Sequence, residues 1–375
     1  MRVVILRSNP VSPDPRVERT ASILTSAGHA VTVLAWDRQA ESPLLERRPY
    51  ATIKRFRIRA RYGTGAGNLL QLMHWQLSLL LGLLSTRTGY DAIHACDFDT
   101  IMPALMAGSL LGKPVVYDIF DFYAQSIRNV PAWIARMAGR LDLWLMSRPA
   151  AVIVADESRL AQIAGSKPRR VVVVYNTPPD VLHELRGQAG VAREASGLKL
   201  AYVGILQKDR GLTEVMRILA GHPAWSMELA GFGGDEPEIL EHAARVPGVA
   251  FHGRVDYATA LKLSYAADAL VALYDPAVAN NRYSSPNKVF EAMMLGKPIV
   301  VSRSTSMDEL VAKTGMGLVV DYGDMGAIER CLRQLADAPE LRARLGQNAR
   351  RAYEREYSYE VIRERLVDLY RSLQR

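Results

Sequence analysis

The chain has 375 residues, 49% apolar and 23% charged, with two cysteines and a formal charge of +8. That length suits two domains of roughly 150–200 residues each, and the ordinary apolar-to-charged balance excludes a disordered or collagen-like chain. Cys96 and Cys331 cannot build a disulfide framework, so a reducing cytoplasm is expected, and no Cys/His cluster has structural zinc spacing.

The opening RVVILRS reads as a short buried strand; its apolar run is closed by Arg7, too early for a signal-peptide core. A helix is expected from Pro15 to Ala27, ended by Gly28, and HAVTVLAW then reads as a second strand. Lys54, Arg55, Arg57, Arg59 and Arg61 form a basic run, followed from Tyr62 to Thr86 by a stretch with no charged residue. Gln71, His74, Gln76 and Ser78 interrupt the leucine-rich Leu69–Leu84 part, which reads as a buried or membrane-surface helix rather than a span. Strand–helix alternation continues through YDAIHAC, TIMPALMAGSLLG, KPVVYDIF, a helix over Trp133–Met146, AAVIVAD and RRVVVVYN. TPPD and the irregular stretch from Leu185 to Gly197 read as the linker region. Alternation then restarts with LKLAYVG, WSMELAG, VAFHG, ALVALY, PIVVS and GLVVD as strands, and helices dominate from Met325 to the end. The pattern predicts an α/β chain of two tandem, doubly wound Rossmann-like domains, whose ligands bind beyond the carboxyl ends of the strands.

The stretch YSSPNKVFEAMMLGKPIVV leads small polar residues and a proline into a helix. The unpaired N–H groups of such a first turn suit phosphate, Lys288 adds a point charge, and Glu291 one turn on can accept hydrogen bonds from two sugar hydroxyls. A plain helix start carrying a glutamate is the alternative. GFGGD lacks the third glycine of a dinucleotide fingerprint, because that position is Glu236, and Gly63, Gly65 and Gly67 do not follow a strand.

Taken in order, the segments DPRVERTASILTSAGHAVTVLAW, YDAIHACDFDTIMPALMAGSLLGKPVVYD, YVGILQKDRGLTEV, ELAGFGGDEPEILEHA, VAFHGRVDYATALKLSYAADALVALY and SSPNKVFEAMMLGKPIVVS resemble the retaining glycosyltransferases of family four. The resemblance implies the GT-B architecture: an acceptor-binding domain over 1–180, a nucleotide-sugar-binding domain over 181–355 across a cleft, and a C-terminal helix over 356–375 packing back on the first domain. It implies transfer from a UDP- or GDP-type sugar to a glycan or lipid-linked hydroxyl with retention, without metal or other cofactor. Surface polysaccharide or glycolipid synthesis is the implied setting.

Glu291 matches the second carboxylate of the family's Glu–seven residues–Glu motif, which implies a place at the ribose. The first would fall at position 283, where this chain has Tyr283, so that Ser284, Ser285 and Asn287 are the substitute donors there. In GILQKDRG, starting at Gly204, the family's first cation is replaced by Ile205. Arg210 takes the second cationic position, with Lys208 as a candidate stand-in or a solvated loop charge. Arg210 and Lys288 are the expected partners of the departing diphosphate. Many relatives carry His where this chain has Phe120. The flanking carboxylates Asp118 and Asp121 are then the candidate catalytic groups, with Asp121 favoured; each could instead cap a helix. His94 and Asp97 border the acceptor side by the same resemblance; His94 is counted with the two carboxylates as a candidate catalytic group and also reads as a plain structural hydrogen bonder. Asn9 and Arg16, in the proline-rich loop after the first strand, are expected to line the cleft near the diphosphate or on the acceptor side. The Asp97–x–Asp99 pair carries little weight as a metal site in this architecture.

Residues 1–190 hold 23 Lys+Arg against 15 Asp+Glu, so the whole excess charge lies in that half. A basic run beside an apolar helix, with Trp75, Trp133 and Trp144 in the same half, suits docking on an anionic bilayer at the inner face of the cell membrane. The other reading packs the leucines on the sheet and makes the arginines the outer face of a strand. No nucleic-acid-binding pattern is visible. An inverting transferase with Asp121 as base, a nucleotide-sugar epimerase, and a non-catalytic nucleotide-sugar-binding scaffold subunit remain alternatives.

Overall fold

A computed structural model describes residues 1–61, 65–122, 131–188 and 197–374. The chain divides into two units, one of Met1–Tyr175 with Ile362–Arg375 and one of Asn176–Val361. Most of the expected linker stretch, residues 189–196, lies outside the described residues, as do Tyr123, Ala124 and Gln125 after the Asp118–Asp121 segment and Gly63 of the glycine run.

The first unit is built on an eight-stranded sheet in the order β3-β4-β2-β1-β5-β6-β7-β8. Its strands are β1 (Arg2–Arg7), β2 (Ala30–Asp37), β3 (Leu45–Arg48), β4 (Ala51–Arg57), β5 (Ala92–Cys96), β6 (Val115–Ile119), β7 (Ala151–Val154) and β8 (Val171–Val173). All neighbours pair in parallel except the edge hairpin β3–β4. The central strands are runs of Val, Ile and Ala buried on both faces, as a parallel sheet covered by helices requires.

α1 (Pro15–Ser26) returns the chain from β1 to β2. Asp14 caps it, accepting from the Val17 N–H, and proline stands in its first turn where no N–H is needed. α2 (Leu69–Ser85), α3 (Phe98–Leu111) and α4 (Ala132–Leu145) follow β4, β5 and β6. They step in the opposite direction along the sheet from α1, and right-handed crossovers therefore place all three on one face. Their inner residues share one apolar core with the strands, including Trp75, Leu79, Leu83, Ile101, Ala104 and Leu145. Trp75 stacks on Trp36 at 5.5 Å between centroids and donates from Nε1 to Ser8 Oγ (2.9 Å), so it is a core residue, not a membrane anchor.

The basic run divides likewise. Arg55 is buried on β4, paired with Glu46 (2.7 Å) and donating to the Pro10 and Pro43 carbonyls, whereas Lys54, Arg57, Arg59 and Arg61 are exposed. The alternation that would put Arg55 on an outer face fails because the β3 hairpin and the loop after β1 cover that side.

The second unit has a six-stranded, all-parallel sheet in the order β11-β10-β9-β12-β13-β14. Its strands are β9 (Lys199–Ile205), β10 (Ser226–Phe232), β11 (Val249–Phe251), β12 (Ala269–Ala272), β13 (Ile299–Ser302) and β14 (Gly317–Val320). Around them pack α5 (Leu212–Ala220), α6 (Glu236–Ala243), α7 (Tyr257–Ala266), α8 (Asn287–Leu295), α9 (Ser306–Thr314), α10 (Met325–Asp337) and α11 (Pro339–Ala352). α8 is buried almost all round, from Lys288 to Leu295. A last helix, Tyr359–Ser372, follows, and from Ile362 onward its residues belong to the first unit. There Tyr370, fully buried, bonds to His94 at 2.7 Å.

Each sheet has one place where the strand order reverses: between β1 and β5 in the first unit, and between β9 and β12 in the second. Such switch points are where open parallel sheets bind ligands. No helix among the described residues is long and apolar enough to cross a membrane.

Candidate functional site

In the second unit the residues singled out from the sequence gather at the β9/β12 switch point. Near the end of β9, Gly204 has a φ of +151°, which favours glycine, and Gly231 near the end of β10 has a φ of +147°. A Cβ on Gly231 would run into the Gly204 carbonyl, so the two strand ends approach as only glycine allows. The chain then turns through Lys208–Arg210 and Gly211, with φ of +65°, into α5.

α8 begins behind Pro286 with no side-chain cap; the Val289 N–H already bonds to the Pro286 carbonyl (3.1 Å), and the Asn287 and Lys288 N–H groups before it are the ones that face another acceptor. Lys288 in that turn is buried, and its Nζ makes no hydrogen bond among the described residues. It lies over the Tyr202 ring, 3.3 Å from the centroid, and 5.5 Å from that of Tyr274. Its Nζ would be 3.3 Å from a Cβ on Gly204, so the bare glycine borders the ammonium. Burial, reinforced by Arg210 and only partly opposed by Glu291, pulls the Lys288 pKa well below the ordinary lysine value.

Arg210 stacks over Tyr274 (3.9 Å) and donates to Asn281 Oδ1 (2.9 Å) and Gln207 Oε1 (3.0 Å). Asn281 in turn donates to Asp209 Oδ2 (2.8 Å) and the Asp275 carbonyl (3.0 Å), which fixes the turn. Glu291 is buried and accepts from the Tyr257 hydroxyl (3.0 Å). The buried Ser285 offers its carbonyl to Asn176 Nδ2 (2.9 Å), Ser284 Oγ donates to the Asn280 carbonyl (3.1 Å), and Asn287 opens α8.

Lys208 does not join this group. It is exposed and paired with Glu238 at 2.6 Å, so it does not take the place of the cation missing at Ile205. Tyr202, Tyr274, Asn281 and Tyr257 escaped the sequence reading. Tyr202 and Tyr274 sit in or just after strands, where an aromatic reads as core.

In the first unit a second group occupies the carboxyl ends of β1, β5 and β6. Arg7 bridges Asp14 (2.7 Å) and Asp97, and Asn9 donates to Asp14 Oδ2 (2.7 Å). Asp97 holds φ 64° and ψ 169°, a conformation almost confined to glycine and costing roughly 1–3 kcal/mol. Its Oδ1 accepts from the N–H of Phe120 (2.8 Å) and, more weakly, of Asp121 (3.4 Å), tying the end of β6 to that of β5. Burial pushes the Asp97 carboxyl up to about 7 against the pull of Arg7. The Arg7 and Arg16 guanidinium groups lie over the Phe120 ring at 4.1 and 5.0 Å. The aromatic that replaces the family's histidine is therefore a platform for two cations.

Asp118 departs from the expectation that both flanking carboxylates are candidate catalytic groups. It is buried, paired with Arg16 (2.6 Å), and 3.3 Å from His94 Nε2. Burial raises its pKa, but Arg16 and His94 outweigh that and hold it below the ordinary value. Arg16 also donates to the Val174 carbonyl (2.9 Å), and His94 is sealed between Asp118 and Tyr370. These three side chains bind one another inside the unit and present nothing to a ligand. Asp121 differs: half of its side chain is exposed, with Arg159 as ion partner at 3.2 Å. Among the described residues no group of three or more His, Cys, Asp or Glu side chains could hold a metal ion.

Residues 13–177 match the model described as "Glycosyl transferase 4-like domain", and residues 198–338 match "Glycosyl transferases group 1". A GDP-mannose-dependent monoacylated alpha-(1-6)-phosphatidylinositol monomannoside mannosyltransferase of Corynebacterium glutamicum is 27% identical over 167 residues, a match spanning 44% of each chain. Among solved structures, sucrose-phosphate synthase from Thermosynechococcus elongatus superposes with a TM-score of 0.78 at 16% identity, covering 100% of this chain and 99% of that one. Anabaena HepE in complex with UDP-glucose superposes with a TM-score of 0.75 at 18% identity, covering 99% and 100%.

Proposed function

Because the chain belongs to the group 1 glycosyltransferases, we propose that it moves a sugar from a UDP- or GDP-type nucleotide sugar to a hydroxyl of a glycan or lipid-linked acceptor. The donor is assigned to the C-terminal half, 181–355, and the acceptor to the N-terminal half, 1–180. The setting is surface polysaccharide or glycolipid synthesis, with the protein peripheral on the cytoplasmic face of the membrane.

One observation carries the donor assignment: a buried ammonium without a hydrogen-bond partner among the described residues, in the first turn of a helix without a side-chain cap at a sheet's switch point. A buried unpaired cation is costly unless an anion completes it, and a diphosphate beside α8 would do so. In this reading Lys288, the α8 N–H groups and Arg210 hold the diphosphate and stabilise the charge that grows on it as the sugar leaves. Glu291 accepts from the ribose hydroxyls. Transfer proceeds with retention, the leaving phosphate taking the acceptor proton on the face it departs from, so that neither a metal nor a strong base is required.

An inverting route would instead use Asp121 as base, and its exposed carboxylate is the observation in favour. Asp121→Asn then abolishes turnover with donor affinity unchanged, whereas a retaining enzyme keeps most of its rate.

A thermal-shift screen with UDP, GDP, ADP, TDP, CMP and their common sugar conjugates tests the donor site. A ligand at 100 times its Kd adds about 2.7 kcal/mol. Selective stabilisation by one diphosphate names the donor class. No response to any of them sinks the assignment and leaves a scaffold subunit as the better reading.

A further inference from the structure

We infer that the outer face of α2, α3 and α4 is a docking surface for an anionic lipid bilayer, with α4 lying in the plane of the interface. The inference deepens the proposed membrane-borne acceptor and rests on that reading for its use, not for its evidence.

The face is apolar well beyond ordinary surface composition. Most of the large apolar side chains exposed among the described residues lie on these three helices. α2 turns Trp75, Leu79 and Leu83 to the core and leaves Leu70 77% exposed and Leu77 55% exposed. α3 adds Met106 and Leu110 beside it. Contiguous apolar surface of this kind marks an interaction site.

α4 supplies the chemistry that selects the partner. Trp133, Met137, Leu141 and Trp144 are exposed and recur at helical spacing along one stripe. Arg136 and Arg140 are exposed between them, and the Arg148 guanidinium lies over the Trp144 ring at 4.3 Å. Tryptophan with an apolar body and a polar edge, flanked by arginine whose stem packs on apolar surface, suits the boundary between acyl chains and headgroups.

Charge then decides between a bilayer and a protein. The only carboxylates on the three helices are Asp99 and Asp142, and neither is on the outer face. Asp142 is buried and accepts from the Tyr117 hydroxyl at 2.7 Å, and Asp99 is half-buried in the first turn of α3, hydrogen-bonded to Ser8. A second copy docking face to face would set Arg136 and Arg140 against the same face of its partner, which offers no acid to pair them. A sheet of anionic headgroups pairs every arginine, and each cation near such a surface strengthens binding severalfold.

The test is flotation of the full chain with vesicles of phosphatidylcholine alone and of phosphatidylcholine containing phosphatidylglycerol. The wild type is expected to partition at least about tenfold more strongly onto the anionic vesicles, less so as salt screens the arginines. Arg136→Glu with Arg140→Glu should abolish that preference, and Trp133→Ser with Trp144→Ser should weaken binding to both vesicles. Equal partition onto both vesicles, an unchanged charge-reversal variant, or a solution dimer broken by the tryptophan changes would each overturn the inference. The nucleotide thermal shift serves as the folding control for the variants. In the wild type, flotation without any nucleotide response removes the donor reading and leaves the docking face standing; a nucleotide response without flotation does the reverse.

Discussion

Lys288 concentrates the physics of the second unit. Its ammonium has two tyrosine rings and a like-charged Arg210 around it, with Glu291 on its own helix as the opposing charge. In the free protein it gives up its proton well below the usual lysine pKa, whereas a diphosphate alongside would hold the proton on. Donor binding should therefore take up a proton, and affinity should fall as pH rises through the depressed pKa of the free state. Calorimetry in buffers of different ionisation enthalpy measures the uptake directly. Lys288→Gln should lose roughly 10- to 100-fold in affinity together with the pH dependence, while Lys288→Arg keeps a cation and binds without proton uptake. Affinity that is flat with pH in the wild type would contradict this. Lys288 and Glu291 were readable in the sequence because a helix start, a cation and a carboxylate one turn on form a local pattern. The Tyr202 and Tyr274 rings were not, because what distinguishes a core tyrosine from one lying under an ammonium is its neighbour from another element.

At the scale of elements, α4 shows how one helix serves two environments. Its outer stripe mixes tryptophan and arginine, while its inner side places Asp142 against Tyr117 of β6. Burial pushes the Asp142 pKa up to about 6, from an ordinary 3.8, and its Oδ2 finds no hydrogen-bond partner among the described residues. Between those two values the folded state holds a proton that the unfolded chain has released, so this group makes stability fall as pH rises through that window. Asp142→Asn keeps an acceptor for the tyrosine and removes the ionisation. It should gain on the wild type by roughly 2–3 kcal/mol as pH goes from 4 to 7, read by chemical denaturation at several pH values. A constant difference between the two proteins across that range would refute the assignment. Most strands and helices followed from apolar runs, period and caps. The β3–β4 hairpin did not, because LERRPYATIKRFR is rich in charge, and Arg55 is buried there only through Glu46 and two distant carbonyls.

On the scale of the whole molecule, each unit carries its own sheet and its own core. The candidate nucleotide site lies within the second unit alone, and the exposed apolar face within the first. Hydrogen exchange with and without the selected nucleotide should therefore slow amides of the Gly204–Leu212 turn and of the α8 first turn, and leave the central strands of the first unit as they were. Protection confined to the first unit would relocate the donor. The uneven charge, carried by residues 1–190, belongs to this same scale.

The sequence alone determined the α/β class, the two successive rounds of strand–helix alternation, the family, and the helix start at Asn287 with Lys288 and Glu291. These are local facts, set by period, glycine placement and short spacings. Tertiary structure decided which charges are spoken for. Asp118, Arg16 and His94 look like cleft residues along the chain, but they lock one another inside the first unit through partners up to 276 positions away. It likewise turned Trp75 inward and Trp133 and Trp144 outward, a choice that rests on which helix face meets the sheet. Burial and pairing are properties of the packed chain, and no single segment encodes them.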